Sequence, residues 1–593
     1  MNILLYSIFI PIIVSLFCFI FKKLAKWIAF LISFVVLILA GIIFFGGDMA
    51  SVLLNLRAYV LSSGIFLAAS FFTILIVLYS MKYMEGKERL GEYYGYLLIT
   101  LGSTGGALFA NDYIMFLLFW GILGLTLYML IGMGGPEASS AAKKTFIIVG
   151  GTDALMILGI GIIWMITGSP QIGAMKLPLN NIFVVISFLS LAAAAFAKAG
   201  AIPLHSWIPD SAEPAPTTVM AYLPAALDKL LGIYLLTRIC VDIFRVIPNS
   251  PISIFLLIIG SVTIIAAVMG ALVQHNLKKL LSFHAVSQVG YMVLGIGTGI
   301  PVGIAGGLFH MLNHSIYKCC LFLTGGSVEH ETGTTELDRL GGLARFMPLT
   351  FASALVAALS ISGVPPFNGF VSKWMVYQGV IELAKSSPYW IIWLIAAMFG
   401  SALTLASFMK IIHATFLGQW SEVTSRAKEV PWSMWVPMVI LASLCVIFGV
   451  FAYALPLAHF ILPSIRGVIY TGFWSPTLAT LLILVGLAIG LFIYWIGKVK
   501  IGTPKAAYVG GELLNEEIVK VSGVDFYNTI RNWGPLRGIY RVSERKIFDI
   551  YEIGSKITFG FSGVLKWLHN GLLHTYLAWM FLGVIILLCV LMR

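Results

Sequence analysis

Residues 303–328 read "GIAGGLFHMLNHSIYKCCLFLTGGSV", an apolar and small-residue stretch long enough to cross a bilayer as a helix. It is interrupted by His310, His314 and Lys318 at four-residue steps, which places all three bases on one helical face. A segment of this kind fits lipid as its solvent, and the row of bases inside it demands a separate reason.

Composition agrees with the solvent. With 60% hydrophobic residues, 10% charged residues and a mean hydropathy of +0.98, the chain cannot present a charged surface to water. Apolar windows recur from end to end, and helices satisfy their backbone groups without closure, so each window is read as a transmembrane helix. About sixteen spans are expected, beginning near Asn2, Lys26, Tyr59, Tyr93, Tyr113, Lys143, Ile182, Pro216, Pro251, Leu280, Val302, Pro348, Tyr389, Pro431, Ser475 and Leu572.

The first span has its basic cluster, Lys22, Lys23 and Lys26, after it and no small-residue cleavage site, so it reads as a retained helix and not a signal peptide. Short loops on the side of that cluster also hold Lys82, Lys87, Arg89, Lys278, Lys279 and Arg345, whereas Arg57, Lys176, Arg238, Arg245 and Lys385 fall opposite. The bias of about two to one places the first set in the cytoplasm and the N-terminus outside, in the cell membrane. Topology and lipid contact account for the net charge of +12, and no nucleic-acid partner is implied.

The six cysteines lie scattered in apolar segments without a CxxC pair, so no disulfide framework and no zinc or iron–sulfur site is encoded; adjacent Cys319 and Cys320 read as packing residues. "GIGTG" at Gly295 to Gly299 ends an apolar helix instead of opening a strand–helix unit, which argues against a dinucleotide site. His310 and His314 have metal-like spacing but no third ligand nearby in sequence. No cofactor, metal or bond-making chemistry is expected in this chain.

Ionisable groups at membrane depth are functional candidates, because a charge near the bilayer centre costs at least about 2.5 kcal/mol. The row consists of Asp153, Lys198, Asp228, Lys229, His310, His314, Lys318, Lys373 and Lys410, with His413 three residues beyond the last. One such group is explained by snorkelling or by helix packing; a row of them points to a path along which Lys and His load and unload protons, which a permanently charged Arg cannot do. Two of the lysines adjoin helix breakers: Pro203 follows Lys198, and Gly363, Pro365, Pro366 and Gly369 precede Lys373. Broken helices in two halves of a chain point to inverted repeats around ion sites.

Six segments, "NDYIMFLLFW", "FAKAGAIPLHSWIPDSAEPAPTTVMAYL", "NLKKLLSFHAVSQVGYMVLGIGTG", "FHMLNHSIYKCCLFLTGGSV", "LGGLARFMPLT" and "ALSISGVPPFNGFVSKW", resemble the antiporter-like membrane subunits shared by respiratory complex I, Mrp-type cation/proton antiporters and membrane-bound hydrogenase-type complexes. The resemblance runs in order over roughly residues 60 to 450. It implies a core of two inverted five-helix repeats, each with a half-channel, joined by a polar axis. By motif, Lys198 resembles the central lysine of the first half-channel and Lys229 the lysine that continues the axis; His310, His314 and Lys318 resemble the connecting relay, and Lys373 the terminal lysine of the second half-channel. Such a subunit moves protons or sodium within a multisubunit redox-driven complex; the alternatives are a non-pumping scaffold and a subunit of an Mrp-type antiporter. The family carries a glutamate after the Phe-Trp of the fifth helix, where this chain has Gly121. Asp153 is expected to replace it, with Gly121 leaving room for the carboxylate.

The organisation expected is N-terminal helices over 1–92, a first repeat over 93–238, a connecting helix over 239–279, a second repeat over 280–417 and C-terminal core helices over 418–500. A lateral region over 501–571 and an anchor helix over 572–593 complete it. From Leu536 to Leu568, apolar residues at three-to-four spacing among Arg541, Glu544, Arg545, Lys546, Asp549, Glu552 and Lys556 predict one amphipathic helix along a surface. By resemblance this lateral helix, within about 526–570 on the cytoplasmic side, braces other membrane subunits.

Overall fold

A computed structural model describes residues 3–419, 421–465, 467–470, 475–497 and 523–592. Its apolar windows are helices, the form that pairs every backbone N–H and C=O without water. In order they are α1 (Ile3–Ile20), α2 (Ala25–Phe45), α3 (Val60–Tyr83), α4 (Leu90–Phe109), α5 (Tyr113–Ile131), α6 (Ser139–Thr167), α7 (Ile182–Ala199), α8 (Trp207–Ala212), α9 (Thr217–Tyr222) and α10 (Asp228–Thr237). There follow α11 (Pro251–Leu272), α12 (Leu277–Gly297), α13 (Pro301–Thr332), α14 (Pro348–Ser362), α15 (Asn368–Glu382), α16 (Trp390–Ile412), α17 (Glu422–Ser425), α18 (Trp432–Val450) and α19 (Pro476–Ile496). A small antiparallel hairpin between α2 and α3, β1 (Met49–Ser51) and β2 (Leu56–Ala58), pairs Met49 with Ala58 and Ser51 with Leu56. A wide π-type turn at Leu223–Leu227 joins α9 to α10 and a second at Arg238–Ile243 extends α10, giving one helix from Thr217 to Ile243.

Among the described residues, 12 helices are long and apolar enough to cross a membrane. The sixteen expected windows all contain helix, but α4 and α13 are rich in Gly, Ser and Thr, the Pro348 window is divided at Gly363 into α14 and α15, and the apolar part of α19 is only Leu478–Ile493.

Burial sets the layers. The apolar windows of Thr217–Ile243 and Leu277–Gly297 are 100% and 94% buried, whereas those of α1 and α2 are 33% and 28% buried. The inner helices are therefore α9, α10, α12 and α13, and every α13 residue from Ala305 to Val328 is buried. Cys319 and Cys320 lie in that core, as packing residues should. Helix α13 packs on α12, α14, α15 and α18, while α7 packs on α6 and α10.

Residues Ile530–Arg593 form a second unit, with helices Gly534–Glu544, Ile550–Leu568 and Leu573–Leu591. The single amphipathic helix predicted over 536–568 is thus two. Lys546 adopts φ +55°, and the Asp549 carboxylate accepts the Tyr551 backbone N–H at 3.0 Å, restarting the helix with an N-cap. The beginning of the lateral region, 501–522, lies outside the described residues.

Candidate ion-translocation site

Two helices end inside the bundle on glycines in left-handed conformation, Gly200 at φ +83° after α7 and Gly363 at φ +80° after α14. A side chain is strained there, and a Cβ would stand 3.2 Å from Lys229 Nζ at Gly200 and 3.1 Å from Lys373 Cδ at Gly363. Each helix end leaves carbonyls to be satisfied and carries partial negative charge, which favours a cation. Lysines provide it: Lys229 Nζ donates to the Ala199 carbonyl, and Lys373 Nζ donates to the Ile361 carbonyl at 2.8 Å. Lys410 does the same for α11, donating to Leu272 and Gln274 carbonyls at 2.9 and 2.8 Å.

Lys198 occupies the last turn of α7. Its Nζ lies 3.4 Å from Asp228 Oδ1, and both side chains are 1% exposed. The same ammonium stands 5.7 Å from the centre of the Trp120 ring, whose indole N–H donates to Asp153 Oδ1 at 2.9 Å. One indole therefore separates the Asp153 carboxylate from the Lys198 ammonium. The acid in direct contact with Lys198 is Asp228, a candidate whose partner the sequence does not reveal. The space expected at Gly121 is also relocated. Gly121 lies on the exposed side of α5 with nothing within 4 Å of a built Cβ, whereas a Cβ on Gly124 would stand 3.5 Å from Asp153 Oδ2.

The relay face of α13 meets α12, α15 and α16. His310 Nδ1 bonds Ser372 Oγ at 2.9 Å, and its Nε2 lies 3.1 Å from Gln288 Oε1 and 3.3 Å from the Tyr317 hydroxyl. The His310 ring is 5.4 Å from that of Tyr291, over which the Lys373 ammonium sits at 4.8 Å. Lys318 Nζ lies 5.6 Å from the Phe408 ring, which packs at 4.8 Å on His284; His284 Nε2 bonds Ser407 Oγ at 2.7 Å. The Asn313 side-chain amide donates to the Asn368 backbone carbonyl at 2.9 Å and the Asn368 amide donates to Asn313 Oδ1 at 3.0 Å, which fastens α13 to the start of α15. Both His314 ring nitrogens, Lys318 Nζ and Asp228 Oδ2 are buried without a hydrogen-bond partner among the described residues. Buried polar atoms of this kind are commonly satisfied by internal water, so the axis is chemically suited to a water-and-side-chain path.

His284, Gln288 and Tyr291 of α12 are not among the residues expected from the sequence, although their spacing of four and three residues within a buried helix is the same signal that His310, His314 and Lys318 give. Trp120 lacks any such signal, since an aromatic residue in an apolar helix reads as packing.

Residues 110–404 match the family described as NADH:quinone oxidoreductase/Mrp antiporter, transmembrane. The chain belongs to this antiporter-like membrane-subunit family. It is a multi-pass membrane protein. The Na(+)/H(+) antiporter subunit named A1 of Staphylococcus epidermidis is 32% identical over 403 residues, 64% of this chain and 50% of that protein. A Na(+)/H(+) antiporter subunit of Bacillus subtilis is 29% identical over 552 residues, 87% of this chain and 64% of that protein. The chain thus spans about half to two thirds of these relatives. Among solved structures, a chain of the membrane-bound sulfane sulfur reductase, an archaeal respiratory membrane complex, aligns with a TM-score of 0.83 and 26% identity, covering 100% of this chain and 99% of that one. A chain of the Mrp complex from Dietzia sp. DQ12-45-1b shares the fold with a TM-score of 0.71 and 21% identity, over 78% of this chain and 98% of that one.

Proposed function

We propose that the chain is the ion-translocating subunit of a larger membrane complex and moves protons along the axis Asp153, Lys198, Asp228, Lys229, His310, His314, Lys318 and Lys373. The observation that carries this reading is the Lys198–Asp228 pair, 1% exposed on both sides, at the head of a row of buried bases. Burying such charges costs several kcal/mol per ion, at least about 2.5 kcal/mol in a membrane. Amines, imidazoles and carboxylates exchange protons, so the row has a use that packing alone does not supply. Lys410, which caps α11, extends the candidate path on the α16 side.

The full-length alignment with a subunit of a respiratory membrane complex favours a redox-driven assembly, with other membrane subunits as partners and the cell membrane as location. Its N-terminus would lie outside, as the loop lysines indicate. A second reading, a subunit of an Mrp-type cation/proton antiporter, is favoured by the relatives named as Na(+)/H(+) antiporter subunits. In either assembly the helices Gly534–Glu544 and Ile550–Leu568 would lie along the cytoplasmic surface and brace neighbouring subunits.

Translocation by the intact complex in sealed vesicles, compared with Lys198→Met at equal assembly and equal driving-reaction rate, tests the proposal. A reduced gradient per turnover is expected. An unchanged gradient would leave the chain with a scaffold role only.

A further inference from the structure

A cavity of about 410 Å³ opens beside the β1–β2 hairpin, lined by Asp48, Arg57, Tyr59, Arg238 and Asp242 among others. Ile172 and Arg238 also wall a second, narrow and apolar space of about 10 Å³, at the lower limit of what one water needs. The walls of that space come from the helices that build the Lys198 centre: Phe116 of α5, Ile160 of α6, Leu191 of α7 and Leu235 of α10. Phe116 precedes Trp120 by one turn and packs on it at 5.1 Å. Ile160, Leu191 and Leu235 lie two turns from Asp153, Lys198 and Asp228, about 10 Å along their helices. The neighbouring helices run in alternating directions, so all four displacements point the same way. The narrow space lies between the open cavity and the lysine.

Arg238 stands where the two spaces meet. Its Nη1 donates to the Tyr59 and Tyr234 hydroxyls at 2.7 and 2.9 Å, and Nε lies 2.5 Å from Asp242 Oδ2. The Tyr59 and Tyr234 oxygens are 2.7 Å apart, and the Tyr234 hydroxyl donates on to the Leu108 carbonyl at 3.0 Å. The Arg238 side chain is 11% exposed while that of Asp242, one turn on and at the cavity rim, is 40% exposed. A permanent cation fixed in a neck repels protons and metal cations alike.

We propose that Arg238 gates a proton path from this cavity to the Lys198 centre, closed while the guanidinium is tied to Tyr59 and Tyr234 and open when it releases the two hydroxyls and turns out into the cavity, held by Asp242 alone. The neck admits a proton passed through a single water and excludes a hydrated sodium ion by size. The gate presupposes the proton-carrying role proposed for Lys198.

The test is the decay of an imposed pH gradient in sealed vesicles holding the intact complex without turnover, read by a pH-sensitive dye in sodium-free buffer. Arg238→Ala is expected to speed the decay roughly tenfold as the charge barrier is lost. Arg238→Lys, which restores a cation, should stay near wild type, and Arg238→Ala with Lys198→Met should return to the wild-type rate. Assembled Arg238→Ala with wild-type decay overturns the gate, as does a leak that persists in the double variant. If Arg238→Ala fails to assemble, Tyr59→Phe removes one hydroxyl and should raise the leak by a smaller factor; no rise overturns the proposal. Failure of the Lys198 reading itself shows separately, as turnover-driven translocation that survives Lys198→Met.

Discussion

Lys198 Nζ and Asp228 Oδ1 stand 3.4 Å apart, both 1% exposed, one on the last turn of a broken helix and the other on α10. Removing one partner strands the other charge in the bundle, at a cost of about 3–5 kcal/mol, whereas removing both is often close to neutral. Asp228→Leu and Lys198→Met are each expected to lower the unfolding temperature in detergent, and the two together to recover most of the loss. A double variant as unstable as the sum of the singles would show that the two residues act independently.

Asp153 is hydrogen-bonded to the centre through Trp120. Trp120→Phe keeps a ring under the Lys198 ammonium and removes the 2.9 Å indole bond to the carboxylate, a charged hydrogen bond worth about 1.5–3 kcal/mol. Translocation in Trp120→Phe should fall about as far as in Asp153→Asn, and the two together should fall no further. Additive losses, measured as gradient per turnover, would separate the two residues.

The two histidines on the α13 face differ in kind. His310 holds Ser372, Gln288 and Tyr317, so His310→Ala is expected to cost both stability and translocation. Neither His314 ring nitrogen has a partner within hydrogen-bond geometry among the described residues, although the Ala225 backbone lies close by, so an apolar replacement strands at most one backbone group. His314→Leu should therefore block translocation while leaving thermal unfolding within about 1 kcal/mol of wild type. A large stability loss in His314→Leu would argue for a packing role.

How far these sites can be read from the sequence follows from the range of the interactions. His310, His314 and Lys318 share one helix, so their common face is visible in their spacing, and Gly363 with Pro365 and Pro366 announces the break before Lys373. The Lys198–Asp228 contact joins residues 30 positions apart and depends on how the helix from Thr217 passes its π-type turn at Leu223–Leu227. A single sequence carries no trace of that register, so it points to α6 for the missing acid. The turn at 545–549 is hidden for another reason: the apolar spacing continues across it, and only the Asp549 cap marks the restart.

Near the face that carries Lys82 and Lys87, Glu329 ties four helices together. Its Oε2 accepts from the Tyr83 and Thr217 hydroxyls at 2.7 and 2.6 Å, and its Oε1 accepts from Lys278 Nζ at 3.0 Å, so α3, α9, α12 and α13 meet at one carboxylate. Lys278 is 3% exposed at its side chain and Glu329 28%; the pair is neither fully solvated nor fully dry. Glu329→Gln leaves the deeply buried Lys278 ammonium without a counter-charge, with the Ala215 carbonyl as its remaining charge-free acceptor, whereas Lys278→Met leaves a partly exposed acid with two hydroxyl donors. Glu329→Gln is therefore expected to destabilise the bundle more than Lys278→Met, by a difference of about 1–2 kcal/mol in denaturation experiments at low salt. Added salt should leave the Lys278→Met penalty nearly unchanged, because a buried pair is weakly screened. A penalty that vanishes in salt would instead mark the contact as a solvated surface pair.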